Sequence, residues 1–293
     1  MPSLFRKPIV IAVVLVAVIG IFTFFNSYKK SPTISPTKPI ETPTFASHKV
    51  IGASVQGRKI ESYTYGSGEK HILFVGGMHG GYEWNSVLLA YQFMDYLNNN
   101  HDAVPSDVTV TVVPSINPDG VFVVTGKEGR FTIADISTST KILASGRFNA
   151  NNVDLNRNFD CKWQPKSTWQ TKTTSAGSAA FSEPETVTLK NLVSESKPVA
   201  VIFWHSMSNA VYASECENGI LPETLNIMNV YSKTSLYPAV NTFSAYVVTG
   251  DAEGWLASIN IPAITVELKT HDTIEWERNL AGIKAILKYY GKM

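Results

Sequence analysis

Hydrophobic and polar positions divide the chain into two regimes. Residues 9–25, IVIAVVLVAVIGIFTFF, form an unbroken run without a charge. From about residue 48, short apolar runs alternate with longer segments whose apolar positions recur every three or four residues. The first regime predicts a membrane-spanning helix of roughly 26 Å, at about 1.5 Å per residue. The second predicts buried strands interleaved with amphipathic helices.

The alternation continues to the end of the chain. Strands are predicted over residues 71–77, 108–116, 199–205 and 263–268, and helices over 84–97, from about 182 to 193, and over 274–290. Continuous apolar strands separated by helices are typical of a sheet covered on both faces. We therefore expect an α/β fold: one domain over residues 48–293, with a mixed, mostly parallel central sheet flanked by helices.

The segment before this domain predicts an anchor and a stalk. Two basic residues lie on each side of the apolar run within residues 1–30, and no small-residue cleavage site follows it. This pattern indicates an uncleaved signal anchor. Residues 31–47 alternate proline with serine and threonine, which favours an extended chain. We expect a membrane-anchored protein whose domain is extracytoplasmic and monomeric.

Charge and cysteine content narrow the function classes. Removing the four basic residues of the first 30 leaves 21 basic against 24 acidic side chains, with no basic cluster. This balance argues against nucleic-acid binding. Cys161 and Cys216 are the only cysteines. A single disulfide would suit an exported domain, although two free thiols remain an alternative.

Candidate metal ligands follow two of the predicted strands. His79 and Glu83 lie in GGMHGGYEWN, between a strand and a helix, and His205 ends the strand before SMSN. Open α/β sheets build their sites at such strand ends. Two histidines and a glutamate match the three protein ligands of a catalytic zinc. The alternatives are a solvated turn with a structural histidine, or a set in which His271, in a loop near Glu267, is a ligand.

Two further features carry possible chemistry. GRFNANNVDLNRNFD, residues 146–160, concentrates Arg147, Asn156 and Arg157. Arginine presents a planar fork suited to carboxylates and oxyanions, although an exposed polar loop has the same composition. Glu267 interrupts the apolar strand AITVEL. A buried acid there needs a partner, whereas an edge strand would expose it to water.

The order and spacing of these motifs resemble those of the zinc metallocarboxypeptidases, the carboxypeptidase A-like family. The resemblance covers most of residues 48–293, from GRKIESY through NPDG, SEPET and WHS to TVEL. It implies that His79, Glu83 and His205 bind one zinc ion. It also implies that Glu267 is the general base, which later protonates the leaving amine.

The resemblance assigns the remaining site residues. Arg147 would stabilise the oxyanion, and Asp154 would orient His79. Asn156, Arg157 and Tyr246 would hold and cover the terminal carboxylate of the substrate. Glu253 falls at the position that lines the specificity pocket, where an acid accompanies terminal Lys or Arg. A bridge between Cys161 and Cys216 would brace this pocket.

One departure from the family concerns the first ligand pair. Three residues separate His79 from Glu83, whereas two are common in the family. Either the two glycines let the backbone bulge, or the ligand set differs.

The expected function is therefore removal of one C-terminal residue from a peptide. A cell-wall peptidase or amidase acting on a diaminopimelate-containing peptidoglycan stem peptide is the first alternative. A deacylase of N-acyl amino acids and an inactive binding module on a stalk are the others. The intact set of His79, Glu83, His205 and Glu267 argues against the inactive module.

Overall fold

The computed structural model describes residues 46–292. The predicted anchor, and all but the last two residues of the predicted stalk, lie outside this range. Within it, no helix has the length and apolar character needed to cross a bilayer.

Strands and helices alternate along these residues. The strands are β1 Ala46–Ala53, β2 Lys59–Gly66, β3 Lys70–Val75, β4 Val108–Val113, β5 Lys166–Trp169, β6 Lys172–Ser175, β7 Ala200–Ser206, β8 Ala210–Ala213, β9 Glu215–Cys216, β10 Gly219–Ile220, β11 Ala239–Val240 and β12 Ala263–Leu268. The helices are α1 Trp84–Asn99, α2 Pro118–Thr125, α3 Thr140–Ser145, α4 Pro184–Ser196, α5 Pro222–Ser235, α6 Ala252–Ser258 and α7 Trp276–Tyr290. Short 3-10 turns cover His101–Ala103, Ile133–Asp135 and Leu155–Arg157.

A mixed eight-stranded sheet forms the centre of the domain. Its strand order is β1-β2-β4-β3-β7-β12-β8-β11. The four central strands β4, β3, β7 and β12 run parallel to one another. The β1–β2 hairpin joins β4 in an antiparallel manner, and β8 is antiparallel to β12. The predicted α/β class, with a mixed sheet flanked by helices in one domain, is confirmed.

Helices cover both faces of this sheet. In β3, Ile72 and Phe74 face a core shared with α1, α5 and α7, whereas Leu73 and Val75 face a core shared with α4 and α6. All four side chains are buried, and each such burial stabilises the fold by about 1.5–3 kcal/mol. Burial on two faces explains why the strand is continuously apolar rather than alternating.

Candidate metal centre and substrate cleft

Three adjacent parallel strands bring the candidate residues to one edge of the sheet. His79 follows β3 by four residues, while His205 and Glu267 each lie one residue before the end of β7 and β12. His205 and Glu267 are directly opposite each other in the β7–β12 register. The parallel register therefore places the predicted base beside a predicted ligand.

His79, Glu83 and His205 converge on a common point. The His79 Nδ1 atom lies 2.7 Å from Glu83 Oε1, and the His205 Nδ1 atom lies 2.9 Å from Glu83 Oε2. The two Nδ1 atoms are 3.2 Å apart. All three side chains are buried, and their ligand atoms lie within 4.8 Å of one another. Two imidazole nitrogens and one carboxylate are the donor set of a catalytic zinc that keeps a fourth position for water.

A tight turn aligns the first two of these side chains. Gly80 donates to Gly77 O at 3.0 Å, and the backbone N–H groups of Tyr82 and Glu83 reach His79 O at 3.1 and 3.4 Å. Gly77 and Gly80 both have positive φ angles, of 62° and 46°, which glycine adopts without penalty. The segment therefore makes one helical turn. It brings the side chains of His79 and Glu83 together although three residues separate them, rather than the two that are common in the family.

Asp154 lies behind His79, on the side away from Glu83. Its Oδ1 atom is 3.3 Å from His79 Nε2, while its Oδ2 atom accepts from Arg147 Nε and Nη2 at 3.0 and 2.9 Å. Burial opposes ionisation of Asp154, but the charges of Arg147, Arg157 and His79 outweigh it and hold its pKa well below the usual range. A permanent carboxylate there fixes the orientation of the His79 ring.

Arg147 is anchored from several directions. Asn117 caps α2 by accepting from Gly120 N at 2.9 Å, and its Nδ2 atom donates to Arg147 O at 3.3 Å. The guanidinium lies 4.6 Å above the Trp169 ring, and its Nη1 atom is 3.6 Å from Glu83 Oε1. The NPDG motif thus positions an arginine beside the ligand group.

Asn156 and Arg157 line the same cleft. Asn156 Oδ1 accepts from Ala252 N at 2.9 Å, and Arg157 Nε and Nη2 donate to Thr168 O at 3.2 Å. Tyr246 is a third wall residue, and burial raises the pKa of its phenol, which keeps it a hydrogen-bond donor at neutral pH. The cleft has a volume of about 610 Å³ and also contains the three ligand residues, Arg147 and Glu267.

Three more acids face this cleft. Burial, and then the charge of Glu83, raise the pKa of Glu267 to about 7. Burial, and then the charge of Glu253, raise the pKa of Asp251 to about 6. Glu253 Oε1 accepts from Thr265 Oγ1 at 3.0 Å and lies 3.4 Å from His205 Nε2. Asp251 was not among the residues predicted from sequence, where its position directly before a helix suggests only a cap.

Aromatic side chains form another wall that sequence reasoning missed. The Tyr82 ring packs edge-on against Trp169 and His271, with centroids 5.2 and 4.7 Å apart. Phe148 also packs edge-on against Trp169, with ring centroids 6.0 Å apart. Aromatic residues in a sequence usually indicate core, so their exposure to a cleft needs the fold to be recognised.

His271 does not belong to the ligand group among the residues that the structure describes. Asn85 Nδ2 donates to the carbonyls of Thr270 and Thr273, so its Oδ1 atom accepts from Ser206 Oγ at 3.0 Å. The Ser206 hydroxyl oxygen is then left to accept from His271 Nδ1, at 2.6 Å. This chain of bonds holds the histidine at the cleft wall as a donor.

A disulfide links Cys161 to Cys216. Cys161 follows the 3-10 turn that carries Asn156 and Arg157, and Cys216 lies in the β9–β10 hairpin after β8. The bridge therefore ties two loops that border the cleft.

The sequence matches the zinc carboxypeptidase family over residues 38–276. The chain belongs to the zinc carboxypeptidase family. Members of this family are zinc-dependent hydrolases that act on peptides, and the convergent His79, Glu83 and His205 form a group that can hold one metal ion. The predictions of the family and of a single zinc ion are confirmed.

Zinc carboxypeptidase relatives of several kinds resemble this chain. It is 24% identical over 264 residues to gamma-D-glutamyl-L-diamino acid endopeptidase 1 of Lysinibacillus sphaericus, with 83% of this chain and 66% of that protein covered. The chain thus spans just under two thirds of that relative. Murein-tripeptide amidase MpaA from Escherichia coli O157 shares the fold, with a TM-score of 0.59, 21% identity, and coverage of 84% of this chain and 94% of that one. Carboxypeptidase A from Helicoverpa armigera gives a TM-score of 0.62 at 19% identity, with 85% and 70% covered.

Proposed function

We propose that the protein is a zinc metallocarboxypeptidase that removes the C-terminal residue of a peptide, with a preference for a terminal residue whose side chain carries an amine or guanidinium. One observation carries this proposal. A single cleft combines the ligand group, the pair Asn156 and Arg157, and the acids Asp251 and Glu253. A peptide that offers a scissile carbonyl, a free terminal carboxylate and a cationic side chain matches all three parts.

The protein side chains divide the chemistry among them. Zinc held by His79, Glu83 and His205 would supply Lewis-acid polarisation and lower the pKa of a water to about 7. Glu267 takes a proton from the attacking water and returns it to the leaving amine. Arg147 stabilises the negative charge that develops on the carbonyl oxygen.

The substrate's terminal residue is recognised by a carboxylate clamp, formed by Asn156 and Arg157. Asn156 and Arg157 bind the terminal carboxylate, with Tyr246 over it, and so place the last peptide bond near the ligand group. A bidentate arginine–carboxylate contact gives orientation as well as affinity. Burial and the charge of Glu253 raise the pKa of Asp251, and an arriving ammonium would favour its ionised form.

The relatives favour a second candidate of the same mechanism, a peptidoglycan stem-peptide hydrolase. One relative is a gamma-D-glutamyl-L-diamino acid endopeptidase, and a murein-tripeptide amidase shares the fold. A terminal diamino acid presents a carboxylate together with a side-chain amine, so the same clamp and the same acids would accept it.

A peptide panel tests both candidates. We expect faster hydrolysis of Lys-terminated than Phe-terminated peptides, no hydrolysis of peptides with an amidated end, and a reduced Lys preference in Glu253→Gln. Equal rates for the two peptides, unchanged in that variant, would refute the preference. A gamma-D-glutamyl-diaminopimelate tripeptide in the same panel separates the candidates: a kcat/KM well above that of the Lys-terminated peptides favours the stem-peptide role.

We also propose that residues 9–25 anchor the protein with its domain outside the cytoplasm. The apolar run and the disulfide support this placement, because structural disulfides persist in oxidising compartments. Protease treatment of intact cells should then degrade the domain. Protection of the domain until the membrane is opened would contradict the proposal.

A further inference from the structure

Both candidate histidine ligands present the same arrangement. The Nδ1 atom of each ring faces the ligand group, and the Nε2 atom faces a buried carboxylate on the opposite side. His79 Nε2 is 3.3 Å from Asp154 Oδ1, and His205 Nε2 is 3.4 Å from Glu253 Oε1. Glu253 therefore has the same position relative to His205 that Asp154 has relative to His79.

The surroundings of His205 single out Glu253 as its acceptor. His205 Nε2 is fully buried and makes no regular hydrogen bond among the described residues, and Glu253 Oε1 approaches it to 3.4 Å. A buried N–H group without an acceptor costs about 1–3 kcal/mol. Glu253 is itself only 4% exposed, so its carboxylate is held against the ring rather than in water.

Two elements fix the Glu253 carboxylate in place. Glu253 lies in the first turn of α6, and its Oε1 atom accepts from Thr265 Oγ1 of β12 at 3.0 Å. β12 pairs with β7, the strand that carries His205. The carboxylate is therefore held by the same sheet that holds the ring.

We infer that Glu253 is a positioning residue for the metal centre, in addition to bordering the substrate pocket. By accepting a hydrogen bond from the Nε2–H group of His205, it favours the tautomer whose Nδ1 lone pair is available to zinc, and its charge makes the ring a stronger ligand. This role holds whichever substrate the enzyme takes.

Zinc affinity in the absence of substrate tests this inference. The dissociation constant is measured by competition with a chromophoric chelator on the folded protein. Glu253→Ala should bind zinc about 10–100-fold more weakly than the wild type. Glu253→Gln should lose less, about several-fold, because its amide oxygen still accepts from His205 but carries no charge.

Two matched variants separate positioning from packing and from pocket charge. Thr265→Val removes the bond to Glu253 without removing the carboxylate, and Asp251→Asn removes a neighbouring charge while keeping a helix cap. Thr265→Val should lose less zinc affinity than either Glu253 variant, because the carboxylate remains beside His205 although one of its restraints is gone. Asp251→Asn should bind zinc as the wild type does. If Glu253→Ala does not fold, Glu253→Gln is compared with Thr265→Val in its place.

Two results would overturn the inference. One is wild-type zinc affinity in Glu253→Ala. The other is a loss in Thr265→Val as large as that in Glu253→Ala, which would assign the effect to packing between α6 and β12. Because no peptide is present, the zinc result stands or falls independently of the substrate preference proposed above.

Discussion

At the scale of single residues, register decides which side chains can act together. Glu267 lies opposite His205, so its carboxylate is held near the ligand group by backbone pairing between β7 and β12 rather than by a flexible loop. Ser208 N donates to its Oε2 atom at 3.2 Å, which further restrains it.

Replacing Glu267 should remove the base without removing the metal. We expect Glu267→Gln to lower kcat by about 10²–10⁴-fold, because proton transfer is lost while the side-chain volume is kept. Zinc content, measured by atomic absorption, should remain near one ion per chain because Glu267 is outside the ligand group. Full activity in this variant would contradict the mechanism.

The pH dependence of catalysis should reflect the same carboxylate. Burial and Glu83 raise the pKa of Glu267 to about 7, and a base acts only when deprotonated, so kcat/KM should rise as pH increases through this pKa. Zinc bound nearby favours the ionised form of Glu267, so the ascending limb of the kcat/KM profile should lie below this pKa. A kcat/KM profile that increases toward acid pH would exclude this assignment.

Sequence predicted residues whose chemistry is unusual at their position, such as an acid inside AITVEL or histidines at strand ends. It could not predict contacts that depend on packing between elements. Asp251 precedes a helix and so suggests only a cap, and the approach of Glu253 to His205 arises where α6 meets β12. Both depend on the direction of side chains that are distant in sequence.

At the scale of elements, the glycine turn after β3 positions His79 against Glu83. A Cβ atom on Gly80 would lie 2.6 Å from Gly146 O and 2.9 Å from Gly120 Cα. A Cβ atom on Gly126, which also has a positive φ, would contact nothing within 4 Å. An alanine at either position would therefore strain the backbone, but only at Gly80 would its Cβ atom also clash with neighbouring atoms.

Gly80→Ala should be much more damaging than Gly126→Ala. The control substitution should cost about 1–2 kcal/mol of unfolding free energy from its left-handed backbone alone. The Gly80 variant adds a clash with backbone atoms that cannot rotate away, and should also weaken zinc binding. Urea unfolding and zinc titration measure both effects. Equal losses in the two variants would show that the packing around the turn is unimportant.

The disulfide should contribute substantially to stability. The cysteines are 55 residues apart, and closing a loop of that length restricts the unfolded chain by about 4 kcal/mol in the entropy model. We expect the double variant Cys161→Ser, Cys216→Ser to lose about 2–4 kcal/mol of unfolding free energy. Denaturant titration, compared with the oxidised wild type, gives the value. An unchanged midpoint would indicate that the loops are held by other contacts.

Periodicity predicted the central elements because these are buried on two faces. The expected strand over residues 263–268 coincides with β12, and the expected helix over 84–97 extends two residues further in α1. Helix α5 was missed because its buried positions include Thr224 and Ser235, which weaken the apolar pattern. Short β8 and β11 owe their pairing to the sheet rather than to their own composition.

At the scale of the whole molecule, the bound zinc ion should support both the catalytic activity and the stability of the fold. Its three candidate ligands come from the β3–α1 turn and from β7, so binding would tie separate parts of the fold together. Dialysis against 1,10-phenanthroline should abolish hydrolysis and lower the Tm, and added zinc should restore both. A ligand present at 1,000 times its Kd stabilises by about 4 kcal/mol. Activity that survives complete zinc removal would contradict the assignment.

The position of Trp169 offers a means of observing the substrate without turnover. Its ring lies in the cleft wall, under the Arg147 guanidinium and against Tyr82. Indole fluorescence responds to nearby charge and water, so a peptide that enters the cleft should change its emission. The chain has six tryptophans, and a Trp169→Phe variant identifies which part of the signal belongs to this one. In the Glu267→Gln variant, where turnover is slow, a tryptophan already present in the sequence would report substrate binding without an added label.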